Sequence, residues 1–317
     1  MNQWKSVAAM FAIAVMALAA TAQENEPPGR EFPQRLADLG IENGFQLSPR
    51  VYSSGQPNGD ADFTALAKLG VKTVISVDGA PPDVATAKKH GLRYIHLPMG
   101  YDGVPPDQQL KIIRALDLHP GPVLIHCHHG KHRGPAAAAI ACMADAQWSR
   151  QQSLSWLKQA GTAAKYRQLF IDIEKFRLPS AQTLAKIPAE LPESVPPPPW
   201  IEAMIAMDGD WDILVAAEKQ GFPPGKNQPL GAPDPAHTAT QLQERLRELA
   251  RSEATAGKPV EFRELLKLAV KSAETLEKAI ASPNAAARDQ KQIAAAMRAV
   301  GESCTACHAK FRDVKEK

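Results

Sequence analysis

Aromatic residues are scarce in this chain, 6% of 317, and there are only four cysteines. So few cysteines in so long a chain exclude a small scaffold held by dense disulfides. Charge of neither sign dominates: 37 Lys and Arg against 34 Asp and Glu leave +3, so nothing global argues for nucleic acid or an anionic membrane as partner. No long hydrophobic run is present. The uninterrupted apolar stretch 7–20 falls short of the ~20 residues a spanning helix needs. With Lys5 before it and Ala20-Thr21-Ala22 after it, 1–22 is expected to be a cleaved secretory signal. The mature protein is then periplasmic or otherwise exported, with no membrane span. No cysteine follows the apolar run, which argues against a lipid anchor, and no internal repeat is visible.

What is present divides at a proline-rich stretch. Between about 30 and 178, short apolar strands alternate with helical segments. Strands are expected at 50–52, 71–77, 94–97 and 123–126, and helices at 60–69, 82–90, 106–118, 135–146, 153–159 and 165–176. Such alternation predicts an α/β domain with a mostly parallel central sheet. Pro188, Pro192 and the run Pro196-Pro197-Pro198-Pro199 place a stiff, extended linker at 179–199. From 200 to 317 no strand signal remains. Helical spacing predicts four helices: 201–220, one through Leu242, Leu246 and Leu249, one from Phe262 to Ile280, and one through Ile293, Met297 and Val300. Four such helices make a bundle, and a homodimer through that bundle is an expectation. Asp208-Gly209-Asp210 is expected to interrupt the first of them, and Pro283-Asn284 separates the last two.

The sharpest motif in the first half is His126-Cys127-His128-His129-Gly130-Lys131-His132-Arg133. A phosphate dianion needs a concave nest of backbone N–H groups, which a loop running into a helix N-terminus supplies. Cys127 at its base would carry a thiolate nucleophile stabilised by those amides and by the helix dipole. Arg133 would hold two phosphate oxygens at once, which Lys could not do, and Gly130 permits the turn. His128, His129, Gly130, Lys131 and His132 would contact or attract the anionic substrate. For the general acid Asp102 is preferred, in Tyr101-Asp102-Gly103, on a Gly/Pro-rich loop able to close over the pocket. Asp107 reads better as a helix-start residue after Pro106. Four of the nine histidines crowd this loop, so a zinc or copper site is a second reading, with Lys131 and Arg133 counting against it. Cys142, within 135–146, is expected to be a small buried apolar residue too far along its helix to bridge Cys127.

This loop resembles that of the atypical dual-specificity phosphatases of plants and fungi that cleave inositol pyrophosphates, His-Cys-x-x-Gly-Lys-His-Arg. It matches at His126, Cys127, Gly130, Lys131, His132 and Arg133. Gln147-Trp148-Ser149 and Tyr166-Arg167 also look similar to that branch. The stretches Val51-Tyr52-Ser53-Ser54-Gly55-Gln56-Pro57 and Lys72-Thr73-Val74-Ile75 look like bacterial phosphatase-like domains of the same fold. The resemblance covers about 45–178 and implies hydrolysis through a phosphocysteine, on a phosphoprotein or a small phosphorylated molecule. The family usually has Ser or Thr after the arginine, where this chain has Gly134.

The other motif is Cys304-Thr305-Ala306-Cys307-His308, the c-type haem attachment pattern. Two thiols add to the haem vinyl groups and the adjacent imidazole binds the iron. The alternative is a zinc half-site, but the sequence has no second Cys-x-x-Cys-His pair to complete it. Attachment on the last helix of a four-helix bundle, followed by Ala309-Lys310-Phe311-Arg312, resembles cytochrome c′. That resemblance implies one covalent haem c, held by Cys304, Cys307 and His308, and a first-helix side chain facing the distal side. Met204 is the candidate sixth ligand, with Met207 one turn on. The expected protein is therefore an exported phosphatase with a haem domain for redox or gas sensing, acting on a phosphorylated substrate and served by a redox partner. The competing expectation is a haem protein for electron transfer or gas binding, joined to a catalytically weak phosphatase-like domain.

Overall fold

The computed structural model describes residues 32–222, 233–281 and 289–312. The expected leader at 1–22, most of the loop after residue 222 and the Pro283-Asn284 break lie outside the described residues. Among the described residues no helix is long and apolar enough to cross a membrane.

A six-stranded sheet forms the first part. In chain order its strands are β1 (Gln34–Arg35), β2 (Phe45–Gln46), β3 (Val51–Ser54), β4 (Thr73–Ser76), β5 (Arg93–His96) and β6 (Val123–His126), arranged β1-β2-β3-β6-β4-β5. The last four positions pair in parallel, while β1 and β2 are two-residue antiparallel additions. The parallel strands follow β-branched runs such as Thr73-Val74-Ile75, whose side chains suit a sheet covered on both faces. Helices α1 (Gly59–Lys68), α2 (Val84–Lys89), α3 (Pro106–Leu118), α4 (Arg133–Asp145), α5 (Arg150–Gln159) and α6 (Arg167–Lys175) supply that cover. Strand alternation divides the core accordingly. Tyr52, Val74, Tyr94 and Leu124 pack with Phe63 and Leu66 of α1, and Val51, Ile75, Ile95 and Ile125 pack with residues of α3 to α6. Local chemistry sets the helix starts. Pro106 opens α3, the Asp83 carboxylate accepts from the Thr86 amide, and Ser149 and Gln152 form a capping box. Cys142 is fully buried in α4, and all four cysteines are free thiols.

The short helix α7 (Ala181–Leu184) leads into the proline-rich spacer, which does not stand clear of the sheet. The His96 amide donates to the Pro192 carbonyl at 2.8 Å, and the Val195 amide donates to His96 Nδ1 at 2.9 Å. Lys88 pairs with Glu193 at 2.6 Å. The spacer thereby covers the open edge of β5, an edge that would otherwise present unpaired backbone groups. His96 is buried, and its Nε2 donates to the Asp78 carbonyl at 2.9 Å.

The second part consists of α8 (Pro199–Lys219), α9 (Pro235–Arg251), the single turn α10 (Glu253–Ala256), α11 (Val260–Ile280) and α12 (Gln290–Phe311). The four long helices are those the periodicity predicts. Their shared core includes Leu214, Leu242, Leu246, Leu266, Ala273, Leu276, Met297 and Val300. The break expected at Asp208-Gly209-Asp210 does not occur, and α8 runs through it. A helical Gly costs about 1 kcal/mol, while Met207 and Leu214 on either side bury into the bundle and Asp210 is held by Arg245 at 2.8 Å.

Candidate functional site

Strand β6 ends at His126 and α4 begins at Arg133, so 127–132 bridge the central strand and a helix N-terminus. In register, His126 lies between Ser54 of β3 and Ser76 of β4. The loop therefore sits at the carboxyl ends of the parallel strands, where open α/β sheets bind ligands. Cys127, 3% exposed, lies at its base. Gly130 adopts φ +64°, and a Cβ there would come within 2.4 Å of the Gly55 nitrogen, so only glycine fits. Three loop carbonyls are tied away from the concave side. Gln56 N donates to His128 O at 2.8 Å, Asn43 Nδ2 to Gly130 O at 2.8 Å, and Thr162 Oγ1 to Lys131 O at 2.7 Å. With these three carbonyls already bonded to neighbouring segments, the loop's backbone is fixed in place.

Arg133 is buried and meets two side chains. Its Nη2 donates to Asp78 Oδ2 at 2.9 Å and to the Tyr101 hydroxyl at 3.1 Å, and its guanidinium lies 4.4 Å from the Tyr101 ring centroid. Asp78 Oδ2 also accepts from the His128 amide at 2.6 Å, and Oδ1 from the Ala80 amide at 3.1 Å. Burial pushes the Asp78 carboxyl upward, but Arg133 and these amides outweigh it and hold the group below its ordinary value. The carboxylate thus fixes both the arginine and the His128 amide. Asp78 does not figure among the site residues read from the sequence. The available signal was its position, an acidic residue directly after the buried run 71–77 at a strand's carboxyl end.

The predicted substrate-side residues separate by environment. His126 is fully buried beneath the loop, its Nε2 2.8 Å from the Tyr94 hydroxyl, and burial drives its pKa down to about 4. His132 packs against the touching rings of Tyr101 and Tyr166, and burial lowers its pKa too. His128 and His129 lie side by side with ring centroids 4.3 Å apart. Lys131 Nζ is 2.5 Å from Glu42 Oε1. Asp102 is half-buried beside Tyr101 on the loop between β5 and α3. That loop is fastened, because the Val104 amide donates to Asp172 Oδ2 at 2.8 Å. Asp107 is exposed in the first turn of α3, paired with Lys111 at 3.0 Å, as expected of a helix-start residue. A Cβ on Gly134 would sit 2.9 Å from the Cys127 nitrogen and 3.3 Å from its Sγ, so a hydroxyl-bearing residue has no room without movement.

The helical part meets this loop directly. His128 Nε2 is 2.9 Å from Asp212 Oδ2 of α8. The Arg312 guanidinium, one residue past α12, lies 4.0 Å from the Tyr101 ring centroid. Tyr101 therefore touches both Arg133 and the end of the helix that bears the Cys-x-x-Cys-His motif.

On α12, Cys304 and Cys307 are partly buried and pack with the bundle core, together with Trp200, Met204, Trp211 and Phe311. Burial raises both thiol pKa values. Burial and Arg312 lower that of His308 and favour the neutral imidazole an iron ligand must be. Two free thiols and a neutral imidazole on an apolar helical face suit a c-type haem as a donor set. Met207 is buried in the core and Met204 is partly buried against it, and both belong to the cluster on which Cys304 and Cys307 pack. A separate cleft of about 770 Å³ beside α8 and α9, lined by Trp200, Arg245 and Glu248, contains none of these groups.

A cysteine and an arginine bracketing such a loop define the cysteine-dependent phosphatase class, and the α/β part is similar in sequence to it. Its relative is the Dual specificity protein phosphatase TpbA of Pseudomonas aeruginosa (strain UCBPP-PA14), 32% identical over 121 residues, which are 38% of this chain and 55% of TpbA. The chain spans just over half the length of the curated relatives it matches. The crystal structure of P. aeruginosa TpbA has 28% identity and a TM-score of 0.40, covering 48% of this chain and 93% of that one. The core catalytic domain of PP-IP phosphatase SIW14 from S. cerevisiae has 23% identity and a TM-score of 0.36, covering 43% and 86%. Residues 237–312 match the family described as Cytochrome C'.

Proposed function

We propose that this chain is an exported phosphatase hydrolysing phosphomonoesters through a phosphocysteine, with one covalent haem c for redox or gas sensing. The phosphatase domain is assigned to about 30–178, the spacer to 179–199 and the haem domain to 200–317. The observation that carries the reading is Cys127 at the base of a strand-to-helix loop whose Arg133 is held in place by Asp78 and Tyr101. Arg133 and the loop amides bind the phosphoryl oxygens. The Cys127 thiolate attacks phosphorus, the ester P–O bond breaks, and Asp102 gives its proton to the leaving oxygen. Water then attacks the phosphocysteine while Asp102 takes its proton, and the P–S bond breaks to restore the thiolate. His128, His129 and Lys131 add positive potential around the incoming anion, and His132, its pKa lowered by burial, contributes as a neutral ring. The substrate is a phosphoprotein or an inositol phosphate. The similarity to a dual-specificity protein phosphatase supports the first, and the loop's resemblance to the inositol pyrophosphate branch supports the second.

Cys304 and Cys307 would hold the haem by thioether bonds and His308 by its imidazole, with Met204 as the candidate distal ligand. When bound, the haem supplies an iron able to exchange an electron or take a diatomic gas. The first test is phosphate release from an aryl phosphate by the mature protein beside a Cys127→Ser control. Activity lost in the control supports the enzyme, and equal rates overturn it. Haem that survives acid–acetone extraction from the wild-type chain but not from Cys304→Ala/Cys307→Ala supports covalent attachment. Equal phosphatase rates with oxidised and reduced haem would sink the sensing role.

The tight packing at Gly134 favours a second reading, a haem protein for electron transfer or gas binding with a slow phosphatase-like domain. No side-chain hydroxyl at residue 134 assists the leaving thiolate. A burst of aryl alcohol followed by negligible turnover would select it.

A further inference from the structure

Two histidines of the phosphate loop and one carboxylate of the helical part converge in a way the phosphatase reading does not use. One imidazole nitrogen each of His128 and His129 and a carboxylate oxygen of Asp212 all lie within 4.8 Å of one another. His128 Nε2 and Asp212 Oδ2 are already 2.9 Å apart. Donors on one tetrahedral zinc-class ion sit roughly 3.3 Å from each other, so a small side-chain rotation closes the set. The group lines a cavity of about 730 Å³ that also includes Glu42, Gln56, Asp62, Lys131 and Lys219, leaving room for water on the remaining coordination positions.

Two cations in the motif, Lys131 and Arg133, would argue against a metal if their charges faced it. Neither charge stands unopposed. Lys131 is paired with Glu42, and Arg133 is turned to Asp78 in the phosphate pocket. The other two histidines of the motif are also accounted for elsewhere. His126 is buried against Tyr94, and His132 packs on Tyr101 and Tyr166. What remains is a two-imidazole, one-carboxylate set drawn from two distant segments, a donor combination suited to borderline divalent transition ions.

We propose that His128, His129 and Asp212 form a binding site for a divalent transition-metal ion of the zinc class. The ion pins α8 to the loop that carries Cys127. The site stands whether or not the loop turns over phosphate, because it needs only the approach of these three side chains.

The test is a calorimetric titration of Zn²⁺ into the full chain, with any free thiols alkylated so that Cys127, Cys142, Cys304 and Cys307 cannot bind it. The expected result is one equivalent bound, at least tenfold more weakly in Asp212→Asn and in His128→Gln. Asp212→Glu, which keeps a carboxylate, should recover most of the affinity, and His132→Gln should leave it unchanged. Absence of binding tighter than millimolar, or an affinity unchanged by Asp212→Asn, overturns the proposal. The readout needs no catalysis, so a failure here is distinct from a failure of the phosphatase assay.

Discussion

Arg312 holds its guanidinium 4.0 Å from the centroid of the Tyr101 ring, and that ring is also 4.4 Å from the guanidinium of Arg133. Burial raises the Tyr101 pKa while both arginines oppose the rise, so the hydroxyl stays protonated at neutral pH. A single aromatic side chain therefore links the end of the motif-bearing helix to the arginine proposed to bind phosphate.

Removing that link should be visible in kinetics. Tyr101→Leu is expected to lower kcat/KM for an aryl phosphate by about tenfold, through lost orientation of Arg133, since a hydrogen bond to a charged group contributes about 1.5–3 kcal/mol. Arg312→Ala should lower it only about two- to fivefold, the range of an exposed cation–π contact. Steady-state rates for both variants check this, and an unchanged Tyr101→Leu enzyme contradicts it.

Asp78→Asn should be costly in both stability and rate. Taking one partner from a buried ion pair costs about 3–5 kcal/mol, and Arg133 would be left without its carboxylate. A melting temperature several degrees lower, with a raised KM, is the expected outcome in thermal denaturation and initial-rate measurements.

Acid should destabilise the fold through His126. Its folded pKa is about 4 against an ordinary value near 6.5. Between those values the unfolded chain binds a proton that the native one refuses, so stability falls as pH drops through that window and is fully present above it. On the order of 3 kcal/mol should disappear between pH 6.5 and 4. Urea midpoints across that range measure it, and His126→Asn should flatten the dependence.

Gly134→Ser restores the residue type usual in the resembled family, yet it should not restore faster turnover. The new Cβ meets the Cys127 amide at 2.9 Å, and overpacking of this kind costs about 1–3 kcal/mol. The expected variant is less stable and no faster after the burst; rapid-quench kinetics beside thermal melts would show otherwise.

The phosphate loop, the strands that flank it and the four long helices were legible because each rests on local periodicity or on a fixed spacing. Cys127 and Arg133 are six apart, and Cys304, Cys307 and His308 share one turn of helix. Asp78, Tyr101, Asp212 and Arg312 were not legible as a group. Their partners lie 32 to 211 residues away along the chain, and no spacing rule records such contacts. The two-residue strands β1 and β2 are too short to carry an alternating pattern. The break expected in α8 failed for a related reason, since Asp-Gly-Asp reads as a turn only until the tertiary partners of Met207, Asp210 and Leu214 are known.

One imidazole, His96, accepts the spacer's Val195 amide on Nδ1 and gives its single N–H, on Nε2, to the carbonyl of Asp78. Mechanically, the spacer is then a strip fastened along an edge, not a spring between two beads. A pull on the bundle would peel it rung by rung, and the rung at Val195 shares its imidazole with the residue that braces Arg133. In a stretching experiment the pocket should lose its grip on an anion before either half unravels.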